Sequence, residues 1–268
     1  MDFETVKLAY FSPTGTTRQI LKAVTEGLGA ANVEHIDLTL PQAETQAPTE
    51  IRDELILLGV PVYEGRVPTT AIPRLSQLKA DKTPAVIVVV YGNRDFDDAL
   101  LEFHDLAKEL GYLPIACGAF IGEHSFANEN RPLAIGRPDA DDLKTAQEFG
   151  AQIRAKIKGL DSINEASLIE PPGNKPYREI DRSGLADRSA VTKDEDCTLC
   201  GDCAPLCPVG AITIEDTVKT DNMACILCNA CVKNCPTGAR VVDDPMVNKI
   251  ANWVSRNFQA RREPETFL

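Results

Sequence analysis

Apolar runs and amphipathic segments alternate along the first 160 residues. The run Ala85–Tyr91 is apolar at nearly every position, which predicts a strand buried on both faces of a parallel sheet. Segments with an apolar residue at every third or fourth position separate such runs and predict helices. Residues 1–160 are therefore expected to form an α/β domain with a five-stranded, parallel, doubly wound sheet. The expected strands are Val6–Phe11, Val33–Leu38, Glu54–Val60, Ala85–Tyr91 and Tyr112–Ile121, and the expected helices are Arg18–Leu28, Thr69–Leu78, Phe96–Leu110 and Asp139–Ile157.

The rest of the chain follows different patterns. Residues 161–190 contain several Pro and Gly residues without periodicity, which predicts a linker; we expect part of it to pack on a domain surface. Residues 191–244 carry most of the cysteines and are expected to form a small α+β domain. Residues 245–268 begin with an amphipathic helix, expected over Pro245–Ala260 with Trp253 in the core. They end in an apolar pair that we expect to dock on the protein.

The cysteine-rich region contains an internal repeat with an offset of 28 residues, and each half reads C-x2-C-x2-C-x3-C-P. Three thiolates at this spacing wrap one iron–sulfur cubane, and the fourth, which precedes a proline, reaches the other cubane. The spacing therefore predicts two [4Fe-4S] clusters. The expected ligands are Cys197, Cys200, Cys203 and Cys235 for one cluster, and Cys225, Cys228, Cys231 and Cys207 for the other.

Zinc and disulfides are the alternatives for these cysteines. Zinc sites usually use two C-x2-C pairs across a longer gap, and disulfides are rare in a reducing compartment. Because no ligand position is missing, residues 191–243 closely resemble the two-cluster bacterial ferredoxins. Cys117 lies outside the repeat in an apolar run. It is interpreted as a small buried hydrophobic residue, with a functional thiol as the alternative.

Composition narrows the class of partner. The net charge is −12, from 28 Lys and Arg against 40 Asp and Glu. An acidic surface repels phosphate backbones, so nucleic acid is not an expected partner, and solubility alone is the simpler reason for the charge. No apolar run approaches the roughly 18–20 residues that span a bilayer. The first residues carry no basic or apolar leader, so a cytoplasmic location is expected.

A hydroxyl-rich loop follows the first expected strand. It lacks the lysine of a Walker loop and the glycine pattern of a dinucleotide fold. Its hydroxyls, its glycine and the start of the next helix can hold a phosphate dianion, and a simple capped turn is the alternative. The loop has the form of the FMN phosphate loop of flavodoxins, S/T-x-T-G-x-T, and residues 1–158 resemble a flavodoxin. The phosphate loop comprises Ser12, Pro13, Thr14, Gly15, Thr16 and Thr17.

This resemblance implies that two further loops hold the isoalloxazine ring of FMN. In the loop after the third strand, Tyr63 would stack on one ring face and Gly65 would permit a peptide flip beside N5. In the loop after the fourth strand, Phe96 would cover the other face and Asn93 would meet the pyrimidine edge. Plain packing is the alternative for both aromatic residues. The full expected set is Pro61, Val62, Tyr63, Gly65, Arg66, Tyr91, Gly92, Asn93, Arg94 and Phe96.

Charged and titratable residues suggest further roles near the ring. Arg66 and Arg94 would favour a reduced anionic flavin, although Arg94 has the alternative of a plain surface cation. After the fifth strand, His124 is the best-placed histidine for proton delivery and Glu123 is a second candidate. A hydrogen-bonded structural histidine is the alternative. His104 is expected on a helix surface, and no Ser/His/Asp arrangement of a hydrolase is present.

Taken together, the two resemblances point to the flavodoxin–ferredoxin fusion proteins of anaerobes. They imply an electron carrier that passes low-potential electrons between two [4Fe-4S] clusters and FMN, with redox proteins as donor and acceptor. The domain junction should then bring one cluster near the flavin. The alternative is an FMN-dependent reductase of a small substrate, fed by its own clusters. A third possibility is an interaction module that docks through its terminal helix.

Overall fold

Twelve strands and six helices form the regular structure within the described residues. The computed structural model describes residues 3, 5–52, 54–160, 162, 169–180, 185 and 187–268. The strands are β1 (Thr5–Tyr10), β2 (Asn32–Asp37), β3 (Thr49–Ile51), β4 (Leu55–Pro61), β5 (Leu78–Ala80), β6 (Thr83–Tyr91), β7 (Tyr112–Ile121), β8 (Val191–Thr192), β9 (Ile212–Ile214), β10 (Val218–Thr220), β11 (Arg240–Val241) and β12 (Glu265–Phe267). The helices are α1 (Thr16–Leu28), α2 (Ile72–Leu75), α3 (Ala99–Glu109), α4 (Ala140–Lys158), α5 (Ala230–Lys233) and α6 (Pro245–Asn257).

The main sheet has the strand order of a flavodoxin. Its strands lie in the order β2-β1-β4-β6-β7, and each neighbouring pair is parallel. With the five strands counted along the chain, this is the 2-1-3-4-5 order of flavodoxin-like sheets. In that order the ligand crevice lies at the carboxyl ends of the strands, between the first and third of them. The expected flavodoxin-like α/β fold is therefore confirmed.

The strand count differs from the prediction. Within the described residues the main sheet has six strands, because β12 from the chain terminus pairs with β7 in antiparallel register, with Phe267 opposite Cys117. An unpaired edge strand leaves its backbone hydrogen-bonding groups open, and β12 covers part of that edge. The expected docking of the tail is thus observed, and it adds a strand that the alternation in residues 1–160 does not reveal.

Helices cover both faces of the main sheet. On one face α1 and α4 pack together, with Ile20, Leu21 and Phe149 buried between them and the sheet. On the other face α3 contributes buried side chains such as Phe103. Strands β4 and β6 are buried along almost their whole length. Their continuous apolar sequences are those of central strands covered on both sides.

Three predictions for individual elements are wrong. The helix expected over Thr69–Leu78 is only the short α2, because the chain turns into β5, which pairs with the unpredicted strand β3. His104 is buried on α3 instead of lying at the surface, and it forms a hydrogen bond with the backbone of Ile169. Trp253 is 55% exposed because it lies on the outer side of α6, where its ring contacts Phe258.

Part of the segment expected as a linker packs on α3. Ile169 joins the buried core, and the Asp98 carboxylate accepts hydrogen bonds from the backbone N–H groups of Asn174 and Arg178, both at 2.7 Å. These bonds lower the pKa of Asp98 against the opposing effect of burial. Residues 161, 163–168, 181–184 and 186 of the expected linker lie outside the described residues.

The cysteine-rich region is built from very short elements. Strands β9 and β10 form one antiparallel pair, and β8 and β11 form another. After this region comes α6, whose N-cap residue Asp244 accepts hydrogen bonds from the backbone N–H groups of Met246 and Val247. None of the helices in the described part of the chain is long and apolar enough to cross a membrane.

Candidate cofactor sites

Four cysteines line a small cavity in the cysteine-rich region, which we call the inner cavity. The cavity brings together the fourth cysteine of the first repeat and the first three cysteines of the second. The spacing rule assigns the same four cysteines to one cubane. The four cysteines of the inner cavity are Cys207, Cys225, Cys228 and Cys231.

A second small cavity, which we call the outer cavity, contains the other four cysteines of the repeat. Its cysteines are more accessible, since Cys200 is exposed whereas Cys228 and Cys231 of the inner cavity are buried. The neighbouring Leu199 is also exposed. The four cysteines of the outer cavity are Cys197, Cys200, Cys203 and Cys235.

The chemistry of both cavities fits a cubane. Burial raises the pKa of the Cys228 thiol to about 12, so a thiolate there needs a positive partner such as iron. Donors already point at the sulfur atoms, as the Ala211 N–H donates to Cys207 Sγ at 3.2 Å and the Arg240 N–H to Cys235 Sγ at 3.4 Å. Within the described ranges, no group of three or more His, Cys, Asp or Glu side chains is placed to hold a single metal ion.

Buried Arg74 links the inner cavity to the flavodoxin-like domain. It is 1% exposed, and it donates to Pro208 O, directly after Cys207, at 2.7 Å. The same guanidinium donates to Thr39 O at 2.6 Å. The Thr39 hydroxyl in turn accepts from the Ser12 N–H at 2.9 Å. Three hydrogen bonds therefore connect the hydroxyl-rich loop to the chain that carries a cysteine of the inner cavity.

The long loop after β7 forms a second contact with the cysteine-rich region. Asn229, which lines the inner cavity, donates from Nδ2 to Ser125 O at 2.8 Å. Lys233 on α5 donates to Ala127 O at 2.7 Å and forms an ion pair with Glu123. Ile226, also at the inner cavity, packs against the core on the α3 side of the main sheet. The inner cavity thus lies next to the flavodoxin-like domain on two sides.

The hydroxyl-rich loop has features of an anion site. Gly15 is the N-cap residue of α1 with a φ of +84°, and no acidic residue lies in the first turn of the helix. The Ser12 hydroxyl accepts from the Arg18 N–H at 3.1 Å. A side chain at Gly15 would meet nothing within 4 Å, so there is open space beside the loop. The Thr17 hydroxyl is buried and has no hydrogen-bond partner in the described structure. An unpartnered hydroxyl beside a helix N-terminus suits a phosphate group.

The loop after β4 is held from outside the sheet. Arg66 donates to the Glu102 carboxylate at 2.7 and 2.8 Å and lies over the Tyr177 ring. Gly65 has a φ of +78° and accepts from the Asp98 N–H at 3.2 Å, and a Cβ there would collide with Asp97. Of the expected flavin residues here, Pro61, Val62 and Tyr63 are half-buried, and Val62 and Tyr63 pack against the core.

Two residues predicted to bind the flavin have protein partners in the loop after β6. Phe96 is buried against Tyr91, with ring centroids 5.5 Å apart, which favours the alternative of plain packing. The Asn93 side chain is fully used by the tail: Nδ2 donates to Phe258 O and Ala260 O, and Oδ1 accepts from the Arg262 N–H. Asn93 is therefore not available to a pyrimidine edge in this conformation.

The remaining residues of that loop have local partners. Arg94 forms an ion pair with Asp97, and burial lowers the pKa of its guanidinium. Burial likewise raises the pKa of Tyr91 to about 12. A Cβ at Gly92 would collide with the ring of His124, so the glycine permits a close approach of the two loops.

His124 and Glu123 are both engaged. Burial lowers the pKa of His124 to about 4, with the charges of Lys233 and Arg94 adding to the effect. Its Nδ1 accepts from the Phe126 N–H at 3.1 Å, which describes a neutral structural histidine. Glu123 accepts from the Gly136 N–H at 2.9 Å and pairs with Lys233. Cys117 is buried in β7, and burial raises its pKa to about 12, so it has no activated thiol.

Sequence reasoning missed the residues at the junction of the two regions. Arg74 lies on a segment predicted as an ordinary helix, and no local pattern marks it. The sequence does distinguish Arg240, because the internal repeat aligns this arginine with apolar Ile212. Asn229 lies between two expected ligands, but its contact with Ser125 depends on the tertiary fold.

Comparison with known proteins finds one matching family model and several similar solved structures. Residues 175–240 match the family model of the 4Fe-4S dicluster domain. An archaeal flavodoxin aligns with 57% of this chain and 99% of its own length, at 16% identity and a TM-score of 0.39. A flavodoxin of Streptococcus pneumoniae TIGR4 aligns with 57% and 99%, at 15% identity and a TM-score of 0.38. Rubredoxin oxygen:oxidoreductase of Desulfovibrio gigas aligns with 59% and 37%, at 10% identity and a TM-score of 0.40.

No curated protein matches the chain. The assignment of the flavodoxin-like fold rests on the strand order of the main sheet. With the dicluster match at the C-terminal side, the resemblance to a flavodoxin joined to a ferredoxin is confirmed in both parts.

Proposed function

We propose that this protein is an electron carrier that holds FMN in its flavodoxin-like domain, residues 1–160, and two [4Fe-4S] clusters in residues 191–244. FMN exchanges one or two electrons and a cubane exchanges one, so their combination couples single-electron and two-electron donors and acceptors. Its partners are other redox proteins, and we place its role in low-potential electron transfer of anaerobic metabolism.

The observation that carries this proposal is the buried connection through Arg74. Its guanidinium holds Pro208, next to Cys207, against Thr39, which itself holds the hydroxyl-rich loop. A cluster in the inner cavity would therefore be held at a fixed position relative to a phosphate at residues 12–17. Fixed geometry matters because the rate of electron transfer falls steeply with distance.

The two cavities have different tasks in this proposal. The inner cavity adjoins the flavodoxin-like domain through Ile226, Asn229 and Pro208. The outer cavity contains exposed Cys200 and lies beside exposed Leu199, so it is the accessible end at which a partner protein docks. Electrons then enter or leave at the outer cavity and pass through the inner cavity to the flavin.

The phosphate of FMN would be held by the hydroxyl-rich loop. The Thr17 hydroxyl, the open side of Gly15 and the first turn of α1 support this assignment. Tyr63, Gly65 and Arg66 adjoin the same carboxyl edge of the sheet. No observation favours the alternative of a reductase with its own proton donor, because His124 and Glu123 are both committed to local partners.

Anaerobic purification and cofactor analysis test the proposal. We expect one FMN and eight iron atoms per chain, four for each cubane. An EPR-monitored redox titration with dithionite should show two clusters that titrate separately from the flavin absorbance. Protein that holds zinc in place of iron, or that binds no FMN at saturating concentration, would refute the proposal.

A further inference from the structure

A buried arginine lies between the two cysteine cavities. Arg240 is 2% exposed and begins β11, directly after the second repeat. Its side chain lines the outer cavity, yet its Nη2 also donates toward Cys231 Sγ of the inner cavity, at 3.6 Å. Its backbone N–H donates to Cys235 Sγ of the outer cavity, at 3.4 Å. One residue therefore contacts a sulfur atom of each expected cluster.

The other partners of the Arg240 guanidinium are neutral. It donates to the hydroxyls of Thr192 and Thr220, at 2.7 and 2.8 Å, and to Ala190 O at 3.2 Å. Its Nε is buried and has no hydrogen-bond partner among the described atoms. Among the described residues, each carboxylate in an ion pair has a cation other than Arg240 as its partner.

A buried cation with only neutral partners requires a nearby anion. Burial of an unpaired charge costs free energy comparable to the net stability of a whole domain. The thiolates on either side are the anions within reach, because a cubane with four thiolate ligands carries net negative charge. The internal repeat supports a specific role, since the position equivalent to Arg240 in the first half is apolar Ile212.

We propose that Arg240 raises the reduction potentials of both clusters by compensating the negative charge that each gains on reduction. Each cluster takes up one electron from a one-electron donor, no bond forms or breaks, and the guanidinium keeps all its protons. Net charge and hydrogen bonds to the sulfur atoms are two of the levers that set such potentials. The inference rests on the proposed function, because it requires that both cavities hold clusters.

The test compares three substitutions with a matched control. Arg240→Met removes the charge and the donors, Arg240→Gln removes the charge but keeps a donor, and Arg240→Lys keeps the charge. The control is Lys219→Met, which removes one positive charge from exposed Lys219 on β10 in the same region. Iron content per chain is measured first, and the potentials follow from EPR-monitored titration with dithionite.

We expect Arg240→Met and Arg240→Gln to lower the equilibrium constant for reduction of the clusters at least tenfold, which is 59 mV for one electron. Arg240→Lys should recover part of this loss, and Lys219→Met should change it less than twofold because solvent screens an exposed charge. Variants that hold eight irons with unchanged potentials would overturn the inference. It would also be overturned if none of the three variants held both clusters, since Arg240 would then be a structural residue.

These outcomes are distinct from failure of the proposed function. Absence of clusters in the unsubstituted protein would refute the proposed function itself. If the unsubstituted protein holds both clusters and substitution of Arg240 leaves their potentials unchanged, only the role assigned to this residue is refuted.

Discussion

Different forces stabilise the two halves of this protein. The flavodoxin-like half has buried side chains on both faces of its main sheet, and its central strands are buried along nearly their whole length. Removal of this apolar surface from water stabilises the half at roughly 25 cal/mol for each Å² buried. It has the core of an ordinary globular domain.

The cysteine-rich half has almost no such core. Its buried hydrophobic cluster consists of Ala190, Ile212, Val218 and Cys231, and its strands are two or three residues long. A region of this size usually depends on metal ligation or on contact with a larger neighbour. The comparison teaches that burial specifies the first half, whereas the second half depends on its contacts with the first and, in our proposal, on ligation of its cysteines.

We expect the largest difference between the two halves when one expected cluster ligand is removed. We expect Cys228→Ala to abolish the cluster of the inner cavity, so that the iron content falls by at least four atoms per chain. Residues 188–243 should then become sensitive to limited proteolysis, while the flavodoxin-like half stays resistant. Cys117→Ala is the matched control, because Cys117 is buried in β7 and lies outside both cavities. Full iron content in Cys228→Ala would contradict the ligand assignment.

Substitution of Arg74 tests the docking of one half on the other. Arg74→Met keeps most of the side-chain volume but leaves the buried acceptors Leu38 O, Thr39 O and Pro208 O without their donor. We expect the free energy of unfolding to fall by about 2–4 kcal/mol in urea titrations, together with slower flavin reduction through the clusters. Arg52→Met is the control; because Arg52 is exposed, its effect should stay within about 0.5 kcal/mol. Equal effects of the two substitutions would show that Arg74 does not join the halves.

A smaller effect concerns the loop after β7, which contacts both halves. Folding lowers the pKa of His124 to about 4, below the ordinary value of 6.5, so the unfolded chain binds a proton that the folded chain excludes. Stability is therefore lost as the pH falls through 6.5, and this loss levels off below pH 4. We expect His124→Asn, which keeps an acceptor for the Phe126 N–H, to remove about 1 kcal/mol of the stability difference between pH 7.5 and pH 5.5. Urea titrations at the two pH values measure it, and an unchanged difference would show that His124 does not titrate this way.

Local patterns were sufficient for much of the architecture. The five parallel strands appear near their expected positions because continuous apolar runs such as Ala85–Tyr91 fit only a central strand. The grouping of cysteines in each cavity follows from spacing, because three thiols two residues apart occupy one tight loop. In these cases the physical cause acts within a few residues along the chain.

Local patterns were insufficient where distant segments meet. Asn93 was expected to bind a ligand, but residues more than 160 positions later take its hydrogen bonds. His104 was expected at the surface, but it is buried and forms a hydrogen bond with the backbone of Ile169. None of these partners leaves a trace in the local sequence.

The amino-acid sequence by itself determined the two kinds of domain, the order of the strands along the chain and the grouping of the cysteines, because periodicity and spacing act locally. Only the tertiary structure decided which cavity adjoins the flavodoxin-like domain, how the tail completes the sheet as β12, and where Arg74 and Arg240 lie. A buried arginine is acceptable only where acceptors and anions from several segments converge, and that convergence exists only in the folded chain.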